Sequence, residues 1–585
     1  MIALIAVLAA VVFLALLGAG VLSWTVAAVA AALAALDYVL IRRGREDDAA
    51  VRTDTAAWWG VDRAYLLAIA FLLVTLMPMP LALTRVMGRD RHAQNARVAA
   101  TLRHAADLGL ARPGADLFAF TRNRAGTMRI AAILIAAYGI ARLASRLSNR
   151  RRFVLLGGLV LVVTAIGVAG FIALRFIPQR DTLWWIYPIP RVLPGPVACF
   201  VNRNHFAGLM AMISPAALVL CIHALLNRRP LRAALWGFCL VALGVALLAA
   251  LSRGAFLAWL AGLAAVPLFL FPIRRAIPAF AAGAALAALL AWAALAHLPA
   301  LRTRLEMLRN PEDSSVSARL TAWHDSLAIW CAYPLAGAGA NAFRMVYPQH
   351  RTSSHSGFRT HAENQYVQLL AEGGVAGVAL TALLLAACAL AALRYARSEE
   401  TSRTLLAALG GGAVAAGAHA LTDFALHAPL YALAFATLVG INLPWRRSAL
   451  PRPSWLAALN LIAALALLAN EPEVQKMESL GAPDKTTRDE VRQALVWAPT
   501  HWRAWQQWGY LTGRRGGAPA ARYEERCTTQ AALYDPLNYR LWQYLGYVRL
   551  HMKDYAGARD AFARMHALRA WIEIPRIPEE GKAQR

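Results

Sequence analysis

Apolar residues recur along the first 470 positions in runs of about twenty, the length that crosses a bilayer as a helix. About thirteen such runs are present, near 2–19, 21–41, 64–84, 129–145, 153–176, 205–226, 231–251, 254–272, 276–297, 365–393, 404–420, 428–444 and 455–470. The apolar stretch up to Leu40 is too long for a signal-peptide core, which favours two helices joined by a tight turn. The pattern predicts an all-α, polytopic helical membrane protein with about 12 to 13 transmembrane helices.

The composition agrees with a membrane environment. Hydrophobic residues make up 59% of the 585 residues and charged residues only 16%, too few to cover a soluble fold of this size. The net charge of +27 raises the possibility of nucleic-acid binding, but the basic residues occur as short clusters between apolar runs. We therefore expect membrane lipids, and no nucleic acid, among the partners. The six cysteines form no CxxC pair, so we expect no metal site and no disulfide framework.

Arginine clusters fall in every second connection between the runs, which predicts the orientation by the positive-inside rule. The cytoplasmic connections then carry Arg42–Arg43, Arg142 to Arg152, Arg228–Arg229, Arg274–Arg275, Arg394 to Arg403 and Arg446–Arg447. Segments 85–128, 177–204, 252–253, 298–364 and 421–427 face outward, as does the chain after the last run. The 85–128 segment is itself rich in arginine, which indicates either a wrong helix count before it or an amphipathic helix along the headgroups.

A separate soluble helical domain is predicted at 471–585, where the composition becomes Trp-rich and charged. Three pairs of residues recur at a spacing of 37, namely Pro499 with Pro536, Trp505 with Trp542 and Gly509 with Gly546. This spacing resembles tetratricopeptide repeats, although an ordinary pair of helical hairpins is the alternative. Such repeats bind partners in a concave groove, so a protein partner is expected here.

Four polar clusters lie in, or at the rim of, the outward connections. The first comprises Asn202, Arg203, Asn204 and His205, four consecutive hydrogen-bonding residues directly before an apolar run. Each must find a partner close to hydrocarbon, which indicates a functional site, although an arginine at a helix end can simply reach the headgroups.

The second cluster is Ser252-Arg253-Gly254, placed between two apolar runs with almost no loop. An arginine at this depth needs a buried anion or a water-filled cavity unless it extends to the headgroups. In the third cluster, Arg319 precedes a helical spacing of apolar residues that predicts a helix lying on the membrane, and a Gly-rich segment follows at Gly337 to Gly339.

The fourth cluster, at 361–366, leads into the apolar run at 365–393. It holds His361, Glu363 and Asn364, and His361 is able to act as a base near neutral pH. The spacing of the nearby histidines fits no zinc site. Three arginines and a titratable group facing one compartment predict recognition of a diphosphate, because the guanidinium group offers a fixed charge and paired donors for phosphate oxygens. No P-loop pattern is present, so we expect neither nucleotide hydrolysis nor a cofactor.

At these clusters the chain resembles the O-antigen ligase and polymerase superfamily over about residues 150 to 445. The matching blocks are Phe200 to Gly208, Ser252 to Gly254, Arg319 to Gly339 and His361 to Gly377. Members of that superfamily are multi-spanning transferases that act on undecaprenyl-diphosphate-linked glycans. The resemblance implies a bacterial inner-membrane protein with a periplasmic C-terminal domain and a large periplasmic loop at 298–364.

The resemblance also implies roles for individual residues. Arg253 and Arg319 would bind the donor diphosphate, and the last motif would supply the base that activates the acceptor hydroxyl. The family commonly has His directly before Asn, whereas this chain has Glu363 there and His361 two residues earlier. Both remain candidate bases. Substrate contacts are expected from the 202–205 cluster and Asn364.

The predicted organisation is N-terminal transmembrane helices at 1–150, a ligase-like core at 151–445, a last transmembrane helix at 446–470 and the repeat domain. The predicted reaction moves an oligosaccharide or polysaccharide from its carrier to a hydroxyl of a glycan, of the lipid A core or of a protein, without a metal. Two alternatives stay open, an anionic-solute transporter and a non-catalytic scaffold of a polysaccharide assembly complex.

Overall fold

The computed structural model describes residues 2–16, 23–43, 56–87, 89–109, 117–177, 182–183, 187–188, 197–297, 314–352, 359–398, 400–443, 454–470, 487–513, 517–569, 572–575 and 577. The fold is all-α, as predicted. The first half of the chain contains α1 (Ile2–Leu16), α2 (Ser23–Arg43), α3 (Ala56–Leu76), α4 (Arg89–Asp107), α5 (Arg124–Ser145), α6 (Asn149–Phe176), α7 (Arg203–Leu226), α8 (Pro230–Ala249), α9 (Arg253–Leu270) and α10 (Ile273–His297).

The second half contains α11 (Ser314–Ala332), α12 (Phe343–His350), α13 (Gln365–Ser398), α14 (Glu400–Ala420), α15 (Pro429–Gly440), α16 (Ser454–Ala469), α17 (Arg488–Trp497), α18 (Trp502–Gly513), α19 (Ala518–Tyr534), α20 (Tyr539–His551) and α21 (Tyr555–Leu568). Two short antiparallel strand pairs join Met79–Pro80 to Leu117–Phe118 and Thr182–Leu183 to Tyr187–Pro188. Turns of 3₁₀ helix lie at Leu81–Met87 and Ala425–His427.

Each predicted apolar run contains a helix. Within the described residues, six helices have both the length and the composition to cross a membrane, namely Arg124–Ser145, Asn149–Phe176, Arg203–Leu226, Pro230–Ala249, Arg253–Leu270 and Gln365–Arg397. Shorter apolar helices lie at Ile2–Leu14, Thr25–Leu40, Pro429–Gly440 and Ala458–Ala469. The protein is a multi-pass membrane protein, and the total of 12 to 13 spans stays a prediction. The run near 64–84 differs from its helix, Ala56–Leu76, because Pro78 and Pro80 stop the helix early.

Glycines allow the helices at the centre of the bundle to approach closely. α14 packs against both α7 and α9. A Cβ atom at Gly411 of α14 would lie 2.7 Å from Pro215 Cβ on α7 and 2.9 Å from Gly262 O on α9. Small residues at helix contacts are how membrane bundles gain packing without a hydrophobic driving force. This close approach brings the end of α14 beside the beginnings of α7 and α9.

Ion pairs join the helix ends on one side of the bundle. Arg146 near the end of α5 pairs with Asp37 near the end of α2. Arg142 lies 3.7 Å from Asp62, near the beginning of α3, and 3.9 Å from Asp37. Buried charges of this kind are tolerated only when paired. These contacts place the end of α5 with the end of α2 and the beginning of α3, in agreement with the alternating topology.

The segment between α3 and α5 lies on the opposite side, against the loop that carries α11 and α12. The buried Arg91 of α4 donates to Phe120 O at 2.9 Å and to Gly337 O, and its guanidinium stacks over the Tyr333 ring. Arg122 donates to Asn95 Oδ1 at 2.9 Å. These two arginines therefore serve protein contacts, which accounts for part of the basic character of the segment.

The apolar face of α4 packs against the C-terminal helices and not along headgroups. Val98 and Leu102 are buried in one cluster with Trp497, Trp505 and Trp508. The interpretation of this segment as an amphipathic helix along the membrane surface is therefore wrong for α4. The sequence pattern could not separate the two cases, because a helix buried against another domain shows the same amphipathic pattern as a helix at a membrane surface.

The C-terminal helices repeat one local arrangement after 37 residues. Trp505 Nε1 donates to Pro499 O at 2.9 Å, and Trp542 Nε1 donates to Pro536 O at 2.7 Å. In both units a glycine faces the following helix, and a Cβ atom at Gly509 or Gly546 would lie within 3 Å of Cys527 or Phe562. The bonds agree with a helical repeat, while the assignment to tetratricopeptide repeats and the domain boundaries stay predictions.

An ion pair joins the C-terminal helices to the loop that carries α11 and α12. Arg351, directly after α12, lies 2.6 Å from Asp535, directly after α19, and both side chains are less than 10% exposed. Nearby, the guanidinium of Arg124 lies 5.0 Å from the Trp497 ring centroid. The C-terminal helices thus lie on the same side as the 85–128 segment and the loop of α11 and α12.

Candidate functional site

The first turns of three helices, α7, α9 and α13, contact one short segment, residues 421–427, which follows α14. At the beginning of α7, His205 Nε2 lies 3.3 Å from Asp423 Oδ1. Gly254 at the beginning of α9 packs so tightly against Thr422 that a Cβ atom there would clash with the threonine hydroxyl. Gln365 at the beginning of α13 donates its backbone N–H to Asp423 O at 3.1 Å. Helix N-termini carry partial positive charge, so their meeting point favours anions.

Side-chain caps hold two of these helix beginnings. Asn202 Oδ1 accepts from Asn204 N at 2.8 Å and caps α7. Asn364 Oδ1 accepts from the backbone N–H groups of Tyr366 and Val367 at 3.0 and 3.2 Å and caps α13. Caps satisfy backbone donors that the helix itself leaves unpaired. The side-chain oxygens of both asparagines are therefore engaged in shaping the site, and substrate contact by Asn202, Asn204 and Asn364 stays a prediction.

Asp423 is fully buried between two imidazoles. Besides its contact with His205, it lies 3.5 Å from His419 Nε2 through Oδ2, and Oδ1 accepts from Phe424 N at 2.8 Å. Burial alone would raise the pKa of Asp423, but His205, His419 and the Phe424 N–H lower the pKa to about 2. The carboxylate is thus ionised throughout the physiological range.

The ring of His361 stacks on Phe424, with centroids 3.7 Å apart and planes 8° from parallel. The same phenyl ring meets His205 edge-on at 4.6 Å. Burial lowers the pKa of His361 well below its usual value, as do the neighbouring His427, His205 and Arg344, while Asp423 opposes them. His361 is therefore neutral at neutral pH, and the lowered pKa makes it a weaker base than a solvated histidine.

Glu363 faces Arg319 across the site at 3.6 Å, Oε2 to NH2, and both side chains are more than a quarter exposed. Its φ of 57° is uncommon for a non-glycine residue and directs the side chain from a tight turn. Burial raises the pKa of Glu363 with help from Asp423, against the opposing effects of Arg319, Arg359 and His205. A raised pKa makes this carboxylate a stronger base than a solvated one.

A second buried cluster lies on α13, one to two turns after the beginning of that helix. Gln368 donates to Glu372 Oε1 at 3.2 Å and accepts from Ala362 N at 3.2 Å. Glu372 also accepts from the backbone N–H groups of Asn341 and Phe343 at 2.9 and 3.1 Å, and it lies 3.6 Å from His427 Nε2. This cluster binds the loop at 337–343 to α13.

A break in α13 provides the backbone donors that hold that loop. Gly374 has φ 60° and ψ −164°, a conformation essentially restricted to glycine. The break frees N–H groups of the following turn, and Val375 and Ala376 donate to Pro334 O and Leu335 O at 3.0 Å each. The Gly-rich segment after Tyr333 therefore serves as a docking element for α13.

The structure brings together His205, Arg319, His361 and Glu363 around residues 421–427. Arg203 and Arg253 stand half-buried at the first positions of α7 and α9, the two helices whose beginnings border this segment. Asp423, His419, His427 and Glu372 were missed by sequence reasoning. The signal available for three of them was the spacing of His419, Asp423 and His427 by four residues at a membrane boundary, where polar residues are costly.

The arrangement suits transfer of a group that carries an anionic leaving group. Fixed guanidinium groups and helix N-termini stabilise negative charge, and partly accessible His361 and Glu363 offer proton acceptors beside them. Within the described ranges, His, Cys, Asp and Glu form no group of three or more placed to hold a metal ion.

The fold thus defines a multi-pass helical membrane protein in which arginine, histidine and carboxylate side chains meet around residues 421–427. Residues 238–382 match the family model described as O-antigen ligase. The matched region includes Arg253, Arg319, His361 and Glu363, but neither the 202–205 cluster nor Asp423. No curated protein matches the chain by sequence. The match supports a role of the O-antigen ligase or polymerase type.

Proposed function

We propose that the protein is a glycosyltransferase that moves an oligosaccharide or polysaccharide from an undecaprenyl-diphosphate carrier to an acceptor hydroxyl. The observation that carries the proposal is the convergence of sequence clusters spread from residue 202 to residue 366 on residues 421–427, where three helix N-termini meet. The acceptor is a hydroxyl of a glycan, of the lipid A core or of a protein, in the assembly of cell-envelope or exopolysaccharide material.

In this mechanism Arg253 and Arg319 bind the donor diphosphate, with Arg203 contributing from the beginning of α7. The acceptor oxygen forms a bond to the anomeric carbon as the bond from that carbon to the diphosphate oxygen breaks. The lipid diphosphate leaves with the bonding electron pair, and the fixed cations stabilise its charge without a metal. The hydroxyl proton passes to His361 or Glu363 and from there to solvent.

The contact between Arg319 and Glu363 links donor binding to base formation. A diphosphate that binds Arg319 competes with the carboxylate 3.6 Å away for the guanidinium. Displacement releases Glu363 from an opposite charge that lowers its pKa, so the carboxylate becomes more basic when donor is present. The order of events therefore favours donor binding before proton transfer.

We place the protein in the bacterial inner membrane, with the site and the C-terminal domain in the periplasm. Support comes from the arginine-rich connections on the opposite side of the bundle and from the contacts that hold the C-terminal helices against the loop of α12. The predicted partner protein of residues 471–585 belongs to the same proposal.

The test is glycan transfer by the Arg253→Ala and Arg319→Ala variants in membranes that contain the donor. Both variants are expected to insert and accumulate like the wild type while glycan transfer is lost. Full activity in either variant contradicts the proposed diphosphate site. Anion flux without any glycan product favours a transporter, and loss of function only on removal of residues 471–585 favours a scaffold.

A further inference from the structure

Residues 421–427 contact three of the polar clusters that form the proposed transfer site. Thr422 touches Gly254, next to Arg253, and Asp423 contacts His205. The neighbouring Phe424 carries the ring on which His361 stacks. The proposed reaction assigns no task to this segment, although it joins elements that are distant in sequence.

The environment of Asp423 is that of a held anion. Its side chain is 1% exposed and contacts two imidazoles, and the backbone N–H of Phe424 donates to it. The opposing ring, His419, is also 1% exposed, whereas His205 is 12% exposed. A buried carboxylate is costly unless it is compensated, so loss of this charge affects every group that compensates it.

We propose that Asp423 is a positioning residue of the transfer site, holding the imidazole of His205 directly and that of His361 through Phe424. The inference rests on the proposed glycosyl transfer. His205 Nε2 lies 3.3 Å from Asp423 Oδ1, and because a carboxylate only accepts, this contact favours a proton on Nε2 over one on Nδ1. Nδ1 of His205 is then an acceptor for a sugar hydroxyl. This orientation of an imidazole by a buried aspartate follows the general logic of carboxylate and histidine pairs.

The negative charge of Asp423 also acts on the candidate bases. His361 is faced by His427 from the 3₁₀ turn, His205 from α7, Arg344 from α12 and Asp423. Among these groups, Asp423 alone favours the protonated imidazole, so its neutralisation lowers the pKa of His361 further.

Glu363 responds in the same direction. It is faced by Arg319 from α11, Arg359, His205 and Asp423, and Asp423 is the anion that raises its pKa. Removing that anion lowers the pKa of Glu363. Whichever group accepts the proton, the activity of an uncharged variant at position 423 therefore starts to rise at a lower pH than that of the wild type.

The experiment compares the full-length wild type with Asp423→Asn, which keeps the shape of the side chain. Asp325→Asn is the matched control, because Asp325 is equally buried but accepts from the backbone N–H and the hydroxyl of Thr352. Transfer from a synthetic undecaprenyl-diphosphate oligosaccharide is measured against pH. For Asp423→Asn, kcat is expected to fall by about 10- to 100-fold, and the acidic limb of the profile to move down by about one pH unit. The donor KM is expected to change little.

A second readout does not depend on transfer. Diethyl pyrocarbonate acylates neutral imidazoles, and peptide mass reports each site. Release of the rings is expected to increase acylation of His205 in Asp423→Asn and of His361 in Phe424→Leu severalfold, while the Asp325 control matches the wild type. Phe424→Leu keeps the buried charges and so tests the stacked ring if Asp423→Asn does not fold.

The outcomes are distinct for the two proposals. The role of Asp423 is overturned if the acidic limb of Asp423→Asn lies at the same pH as that of the wild type and the acylation of His205 in Asp423→Asn and of His361 in Phe424→Leu is unchanged. This holds even if the overall activity of Asp423→Asn falls. A folded wild type that transfers no glycan overturns the proposed function, and the acylation rates then decide whether Asp423 positions the imidazoles.

Discussion

Two adjacent glycines in α13 are expected to respond in opposite ways to the same substitution. Gly374 has φ 60° and ψ −164°, and a Cβ atom there would lie 2.5 Å from Leu335 O and 2.6 Å from Gly337 N. The strained conformation costs about 1–3 kcal/mol for a residue with a side chain. Loss of the two hydrogen bonds that follow the break adds about 1 kcal/mol each. Gly374→Ala is therefore expected to destabilise the docked loop by about 3–5 kcal/mol.

Gly373 is the matched control, because a Cβ atom there would meet only Leu369 Cδ1, at an ordinary 3.6 Å. Gly373→Ala is expected to be neutral, or to stabilise α13 by up to about 1 kcal/mol, since alanine favours helix over glycine. Thermal unfolding in detergent and protease cleavage within the 334–343 loop measure the difference. Equal melting temperatures and cleavage rates for Gly374→Ala and Gly373→Ala would refute the proposed docking of the loop on the helix break.

Other predictions concern the charges. Arg319→Ala is expected to lower kcat/KM for the donor about 100- to 1,000-fold, the usual effect of removing one group that stabilises a developing anion. The control is Arg564→Ala, which removes an exposed ion pair on the C-terminal helices and is expected to leave activity unchanged. Because burial raises the pKa of Glu363, transfer that uses its carboxylate increases with pH through a value above 4.5; in Glu363→Gln this rise disappears, and a pH profile identical to the wild type excludes Glu363 as the base. Arg351→Ala removes the opposite charge from the buried Asp535, to which, among the described residues, only the side chain of Asn538 then still donates. The change is expected to destabilise the contact between α12 and α19, visible as faster hydrogen exchange in both helices; unchanged exchange would contradict the interface.

Much of the fold follows from hydrophobic periodicity, because a bilayer admits few alternatives to apolar helices. The predicted runs at 205–226, 254–272 and 365–393 correspond to helices that begin at Arg203, Arg253 and Gln365. Periodicity was insufficient at 85–128, where an amphipathic helix buried against another domain looks like one at a membrane surface. Contacts such as those of Arg91 with Gly337 O and of Arg122 with Asn95 reveal what these charges do.

The site was predictable in part. His361, Glu363 and Arg319 stood out because polar residues near hydrocarbon need partners, and the fold brings all three to one place. Asp423 was missed because a single acidic residue in a short connection looks like a solvated loop residue. Its role depends on contact with His205, more than 200 positions earlier, and no local pattern encodes such a contact.

The central claim is tested most directly by purified wild-type protein in lipid nanodiscs with a synthetic undecaprenyl-diphosphate oligosaccharide and defined hydroxyl acceptors, with the products identified by mass. We predict one glycan transferred for each lipid diphosphate released, without added metal or nucleotide. Longer lipid-linked chains would identify a polymerase, and glycan on the lipid A core or on protein a ligase. Folded protein that yields neither product nor released lipid diphosphate would contradict the claim.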